Sequence, residues 1–364
     1  MKIMTILGTR PEIIRLSLII QKLDQHAGSH ILVHTGQNFT HTLSDVFFQE
    51  LKIRTPDYHL GLKTQSLGEQ LGRMFEELEK IIVKEKPDRV LVLGDTNSAL
   101  SAVLVERLGI PVFHMEAGNR CYDLSVPEEK NRRVIDSVST FNLPYTPKSR
   151  ENLLKEGVPA TRIFVSGNPI FEVLTHYKND IADSLILENL SLRENDYFLA
   201  TIHRAENVDY EKPLKEIIRG LNLVAETYQK RIICSIHPRT RSKINQYPEI
   251  ALNRLIEFYE PFGLFDFIKL QKNAFCVLTD SGTVQEESCL LHVPAVTVRN
   301  TTERPETVEC GSNVVSGVKG ENILKAVKSM VSQEAEWPYP EGYADLFVSA
   351  KVVKFILGGL GVVH

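Results

Sequence analysis

The 364-residue sequence lacks any apolar stretch close to the ~20 residues that span a bilayer, and its longest late run, 355–363, is short and broken by glycines. The amino terminus has no long apolar core ahead of a small-residue cleavage site, because the run 2–7 passes straight into Gly8. A cytoplasmic protein with no membrane partner is the expectation. Cysteine is sparse: the five residues, at 121, 234, 276, 289 and 310, contain no Cys-x-x-Cys pair, which argues against a zinc site and a disulfide framework. An excess of one charge is also missing. Lys and Arg number 42 against 46 Asp and Glu, a net −4 with no long run of either sign, so a surface that follows nucleic-acid phosphates has no support. Gly-x-Gly-x-x-Gly and the phosphate loop ending in Gly-Lys-Ser/Thr are absent too, which removes the usual signals for nicotinamide dinucleotides and ATP.

What is present is an ordinary globular composition, 43% hydrophobic and 24% charged, in a chain long enough for two domains. Short β-branched runs alternate with longer amphipathic stretches, the pattern of βαβ units and a mostly parallel sheet, so the fold class is α/β. Strands are expected at 2–7, 30–34, 89–93, 112–115 and 163–165, and again at 197–202, 231–236, 275–278 and 295–298, with helices such as 213–227, 321–332 and 344–357. The polar, acid-rich stretch 177–196 has little strand character and reads as the crossing between two Rossmann-like halves, with the boundary near 170–190. Ligands of such sheets bind at the carboxyl ends of the strands.

Several of those ends carry chemistry. Gly8-Thr9-Arg10-Pro11-Glu12 follows the first strand; Thr9 with Glu12 has the form of a capping box and Pro11 suits a first helical turn, while Arg10 beside an exposed helix start would suit a diphosphate. Asp95, in Gly94-Asp95-Thr96-Asn97, and Glu116, in Glu116-Ala117-Gly118-Asn119-Arg120, emerge from two strand ends of one sheet. Asp95 alone could simply cap a helix. Pro127-Glu128-Glu129 opens a helix, and as a third acid Glu128 becomes a catalytic candidate. In the second half His203-Arg204 and His237-Pro238-Arg239 end two strands, a pairing suited to diphosphate oxygens, with His203 able to donate a proton near neutrality. Thr279-Asp280-Ser281-Gly282-Thr283 leads into a helix that carries Glu287; Ser281 and Gly282 offer backbone N–H groups, and Glu287 could accept both hydroxyls of a ribose. The plainer reading is an N-cap with acids in the first turn. Arg304, after Thr301-Thr302-Glu303, is a further phosphate or sugar ligand candidate.

Taken in order, GTRPE at 8–12, GDTNS at 94–98, HMEAGNR at 114–120, PEE at 127–129, HR at 203–204, TDSGTVQEE at 279–287 and TTERPE at 301–306 resemble the non-hydrolysing UDP-N-acetylglucosamine 2-epimerase family. The resemblance implies two Rossmann-like domains in a glycosyltransferase-B arrangement, with the active site in the interdomain cleft. It gives a catalytic domain at 1–172, a UDP-binding domain at 173–343, and a last helix and tail at 344–364 that pack back on the first. It also implies C2 epimerisation of a UDP-N-acetylhexosamine, of the UDP-GlcNAc to UDP-ManNAc type, for cell-surface polysaccharide precursors. UDP is eliminated to leave 2-acetamidoglucal and is then added back, with no metal or cofactor. By matching positions, Asp95, Glu116, Glu128 and His203 would be the catalytic group, and Arg10, Arg15, His237, Ser281, Gly282, Thr283, Glu287 and Arg304 would hold UDP. A homodimer is expected on the same ground.

The chain departs from the pattern in two places. Ile13-Ile14-Arg15-Leu16-Ser17 replaces the usual alanine and lysine after GTRPE, and the chain also reads His34-Thr35-Gly36-Gln37-Asn38 and Glu116-Ala117-Gly118-Asn119-Arg120-Cys121, which looks like the branch that makes UDP-N-acetyl-L-fucosamine from its talosamine epimer. Gln37 is followed by Asn38-Phe39-Thr40 rather than by a Q-H-x-Q pattern, so activation by a second UDP-GlcNAc is not expected. A UDP-sugar glycosyltransferase of the same fold stays open, because the nucleotide-binding residues alone would serve transfer equally.

Overall fold

The computed structural model describes residues 1–36, 41–62, 66–236, 238–247 and 251–358; the segment 37–40, which bears on activation, the tail beyond 358 and His237 lie outside them. The chain forms two compact units, Met1–His176 with the chain from Glu341 onward, and Tyr177–Pro340. No described helix is long and apolar enough to cross a membrane.

The first unit is built on a six-stranded sheet of β1 (Lys2–Leu7), β2 (Ser29–His34), β3 (Tyr58–His59), β4 (Arg89–Leu93), β5 (Val112–Met115) and β6 (Phe141–Leu143), in the order β3-β2-β1-β4-β5-β6. Every pairing is parallel. Both faces of such a sheet are covered, which is why β4 reads Arg-Val-Leu-Val-Leu without polar alternation and is buried throughout. On one face Met4, Ile6, Val90, Val92 and Val112 pack with Met74, Leu78 and Ile82 of the helix Leu67–Glu85. The order reverses between β1 and β4, so the two strand ends that flank this switch point carry Gly8-Thr9 and Gly94-Asp95.

The second unit repeats the plan with β7 (Tyr197–Thr201), β8 (Arg231–Ser235), β9 (Ile256–Tyr259), β10 (Cys276–Thr279), β11 (Ala295–Thr297) and β12 (Asn313–Val315), in the order β12-β11-β10-β7-β8-β9. All of these pairings are parallel as well. Its core joins Phe198, Ala200, Ile232 and Leu278 to Leu214, Ile217, Leu221 and Val224 of the helix Glu211–Tyr228 and to Ile323 and Val327 of Gly320–Val331. Here the switch point lies between β7 and β10, whose ends carry His203-Arg204 and Asp280-Ser281.

Three expectations need correction. Residues 163–165 are not a strand: Ile163 makes only an isolated bridge to Asn142, and the edge strand is β6, whose polar Asn142 donates through its amide to the Asp136 carbonyl at 3.0 Å. The stretch 177–196 is not a bare crossing but holds the helices Lys178–Ala182 and Ile186–Asn189, with Ile181, Ile186 and Leu187 buried. The last helix runs Val348–Gly358, starting later than 344, because the Asp345 carboxylate takes the Phe347 N–H at 2.8 Å and Glu172 takes that of Ser349 at 2.7 Å. That helix stays with the first unit: Phe355 stacks on Phe164 at 4.3 Å, and the Arg89 guanidinium donates to the Ile356 carbonyl.

The helix Arg10–His26 begins on a capping box in which Glu12 accepts from the backbone of Gly8 at 3.0 Å and of Thr9 at 2.7 Å, and from the Thr96 hydroxyl at 2.9 Å. Burial nevertheless pushes Glu12 up to about 7, with the hydrogen bonds from Thr9, Gly8 and Thr96 pulling the other way. Because the folded value lies above the unfolded one, neutral Glu12 contributes stability that is fully present below about pH 4.5 and is lost as the pH rises through 7. Chemical denaturation should therefore show Glu12→Gln gaining roughly 2–3 kcal/mol on the wild type between pH 5 and pH 8. A gap that does not move with pH would contradict this.

Candidate active site

In the first unit the strand ends bring charged side chains together in buried pairs. Arg15, in the second turn of the helix Arg10–His26 and 1% exposed, donates to Glu116 and lies over the Tyr145 ring at 5.6 Å. Sequence matching expects Arg15 among the ligands of UDP; the structure pairs it with a candidate catalytic acid. Asp95 pairs with Arg132 at 2.6 Å, and its carbonyl accepts from Asn131 at 2.9 Å. Arg132 is buried and belongs to the helix Pro127–Val138, one turn beyond Glu128 and on the same face. Glu128 is half-buried in the first turn. Its neighbour Glu129 turns fully inward, taking the Cys121 N–H at 3.0 Å and the Arg132 guanidinium at 3.1 Å, so the two acids of the motif separate into one at the site and one that fastens the helix.

The backbone between these groups is constrained. Glu116 has φ of +65°, a conformation side chains rarely adopt and one that concentrates at functional sites. A Cβ at Gly94 would stand 3.9 Å from Glu116 Oε1, so the carboxylate lies against the turn that presents Asp95. Gly118 has φ of +79°, and a Cβ there would meet the Ser149 carbonyl oxygen at 2.2 Å, which only glycine permits. Arg10 is half-buried with its guanidinium 5.6 Å from the Phe47 ring.

The second unit gathers polar and charged groups around its own switch point. Asp280, fully buried after β10, accepts from the backbone of His203 at 3.0 Å and of Arg204 at 2.9 Å and from the Asn207 amide at 3.0 Å, and faces His203 Nδ1 at 3.1 Å. Burial alone would raise Asp280, but the His203 charge and hydrogen bond and the Arg204 and Asn207 donors outweigh it and hold the carboxyl below its ordinary range. With Nδ1 turned to Asp280, the His203 ring is left half exposed. Ser281 occupies the N-cap position of the ten-residue helix Gly282–Leu291, so Gly282 and Thr283 stand in its first turn. Gly282 allows a close approach by the 301–305 segment, since a Cβ would fall 2.6 Å from Glu303 Oε1. Arg304 is buried and pairs with Glu286 at 2.6 Å; Glu287, the next residue on that helix, is also buried. Glu303 joins Arg299 at 2.7 Å to Arg204 at 3.2 Å.

Sequence reasoning named the acids and His203 but missed Asp280, which holds His203, and Arg132, which holds Asp95. Asp280 stands inside a quoted motif, but its service to His203 crosses from β10 to the end of β7 and has no one-dimensional signal. Among the described residues no cluster of His, Cys, Asp and Glu could hold a metal ion.

Residues 21–357 match the family described as UDP-N-acetylglucosamine 2-epimerase. The chain is 43% identical over 351 residues to the UDP-N-acetylglucosamine 2-epimerase of Methanocaldococcus jannaschii, covering 94% of this chain and 95% of that protein. A crystal structure of the M. jannaschii UDP-GlcNAc 2-epimerase in complex with UDP-GlcNAc and UDP superposes with a TM-score of 0.93 at 40% identity, covering 98% of this chain and 99% of that one. The UDP-2,3-diacetamido-2,3-dideoxy-D-glucuronate 2-epimerase of Pseudomonas aeruginosa is 36% identical over 92% of this chain and 93% of its own. The chain therefore belongs to the UDP-N-acetylglucosamine 2-epimerase family and is an isomerase.

Proposed function

We propose that the protein inverts C2 of a UDP-N-acetylhexosamine, interconverting UDP-N-acetylglucosamine and UDP-N-acetylmannosamine by eliminating UDP and adding it back to 2-acetamidoglucal. The observation that carries this reading is the pairing of Asp95 with Arg132 and of Glu116 with Arg15 at adjacent strand ends. A carboxylate beside a guanidinium stays ionised, and only an ionised carboxylate serves as a base or stabilises a cation.

As the bond from C1 to the β-phosphate oxygen breaks, its electron pair leaves with UDP and the ring gains oxocarbenium-like charge. A neighbouring carboxylate lowers the energy of that charge. The same charge makes the C2 proton acidic; a carboxylate takes the proton, and the electrons of the C–H bond become the C1–C2 double bond. Inversion requires that the proton return on the opposite face, so two proton-transfer groups are needed, and Asp95, Glu116 and Glu128 supply them. His203, oriented by Asp280, holds a proton at the departing diphosphate. Ser281, Gly282, Thr283, Arg10 and Arg304 bind its oxygens, and Glu287 takes the ribose hydroxyls. Arg15 keeps Glu116 ionised rather than touching UDP.

The relatives act on more than one N-acetylated UDP-sugar by name, so substrate choice is argued from this chain's residues. The talosamine-to-fucosamine reading rests on the stretches 13–17, 34–38 and 116–121; within them Arg15 is paired with Glu116, and Asn119 is buried with its side-chain Oδ1 accepting from the Ser149 hydroxyl at 2.9 Å. Both residues serve the frame, which favours UDP-N-acetylglucosamine.

In deuterated water, with no acceptor present, UDP-N-acetylglucosamine should gain deuterium at C2 as the two epimers equilibrate; unlabelled sugar after long incubation would overturn the proposal, and a glycosyltransferase would leave the sugar unchanged. Glu116→Gln should lower kcat by roughly 10²–10⁴-fold, the range for general acid–base groups, with UDP affinity within twofold. Unchanged turnover would remove Glu116 from the mechanism. Asp280→Asn should lower kcat/KM about 10- to 100-fold, and combining it with His203→Asn should cost little beyond His203→Asn alone, because residues that act as a unit are not additive. Fully additive losses would separate the two.

A further inference from the structure

The ends of β4 and β5 and the helix Pro127–Val138 converge on one buried side chain to which no role has been assigned. His114 is the third residue of β5, two before Glu116, and is 1% exposed. Its Nε2 donates at 2.8 Å to the carbonyl of Gly94, the residue immediately before Asp95. Its Nδ1 lies 2.9 Å from Asp136, on the helix that carries Glu128 and Arg132. Asp136 accepts in turn from the Gly118 N–H at 3.1 Å, two residues after Glu116, and pairs with Arg120 at 2.7 Å. Arg120 also donates through Nε to Glu156 at 2.9 Å. Burial alone would raise Asp136, but the His114 hydrogen bond, its charge and Arg120 outweigh it and hold the carboxyl below its ordinary range. The ring therefore sits where a displacement would reach each of the three acids: directly through the Gly94 turn for Asp95, along the strand for Glu116, and through Asp136 for the helix of Glu128.

We propose that His114 is a positioning residue for this epimerisation, and that its bond to the Gly94 carbonyl fixes Asp95 and Glu116 relative to the sugar. The inference rests on the functional reading above, in which those acids meet the ring. Nothing at His114 touches substrate, so its effect passes entirely through the backbone of the two turns. Catalysis depends steeply on such placement, a shift of about 1 Å costing on the order of 10²-fold.

Two polar replacements of similar size separate this role from mere packing. In His114→Gln the amide nitrogen reaches the position of Nε2 and retains the donor to Gly94; in His114→Asn it reaches only the position of Nδ1 and keeps Asp136 alone. His114→Asn should lower kcat for UDP-N-acetylglucosamine epimerisation at least tenfold with KM within twofold, whereas His114→Gln should stay within about threefold of the wild type, the two melting within a few degrees of each other. Equal kcat values in the two variants, or losses that follow their melting temperatures, would overturn the proposal. Absence of C2 exchange in the wild type would instead overturn the functional reading on which it stands.

Discussion

A carboxylate sheltered from water stays ionised only with a cation or several donors beside it, and the ends of β4 and β5 are built around that constraint. Glu116 is held by Arg15, Asp95 by Arg132, Asp136 by Arg120 and Asp280 by three donors and an imidazole. Removing one partner from such a pair leaves an uncompensated charge, so the arginines are as necessary as the acids. This also explains why both Arg15 and Arg132 are almost entirely buried, a rare condition for arginine that requires matched partners.

The two units apply one topology to two chemical tasks. Each parallel sheet reverses its order at a central strand, and the loops flanking the reversal carry the polar groups. In the first unit these are mainly carboxylates, suited to developing positive charge and proton transfer. In the second they are a histidine, arginines and the first turn of the helix Gly282–Leu291, suited to phosphate oxygens and to the leaving group. The division fits the proposed reaction, in which a sugar ring would become cationic while a diphosphate departs.

Much of this was legible in the chain. The buried strands carry unbroken apolar runs, so all eight inner strands could be placed from residues such as Val90-Leu91-Val92-Leu93 and Ile232-Ile233 alone, and Asp95, Glu116 and His203 follow directly from strand ends. Short edge elements escaped notice. Tyr58–His59 and Phe141–Leu143 are two and three residues long, too brief for any period to register, and β6 includes a polar Asn142 whose amide donates to the Asp136 carbonyl. The partners of the charges escaped for a different reason. Arg15 and Glu116, Asp95 and Arg132, and His203 and Asp280 are far apart in the chain and meet only because the parallel sheets bring strand ends together with one another and with the helices beside them. Thus a sequence can show which residues are chemically able, while the state of each is decided by neighbours it does not name.

The central claim is that the bond between the sugar and the diphosphate breaks and re-forms in each turnover. It is tested most directly with UDP-N-acetylglucosamine carrying oxygen-18 in the bridge between C1 and the β-phosphorus, followed by phosphorus NMR. The account predicts that the label moves into the non-bridging oxygens of the β-phosphate while the epimers equilibrate. Retention of all the label in the bridge during epimerisation would contradict it.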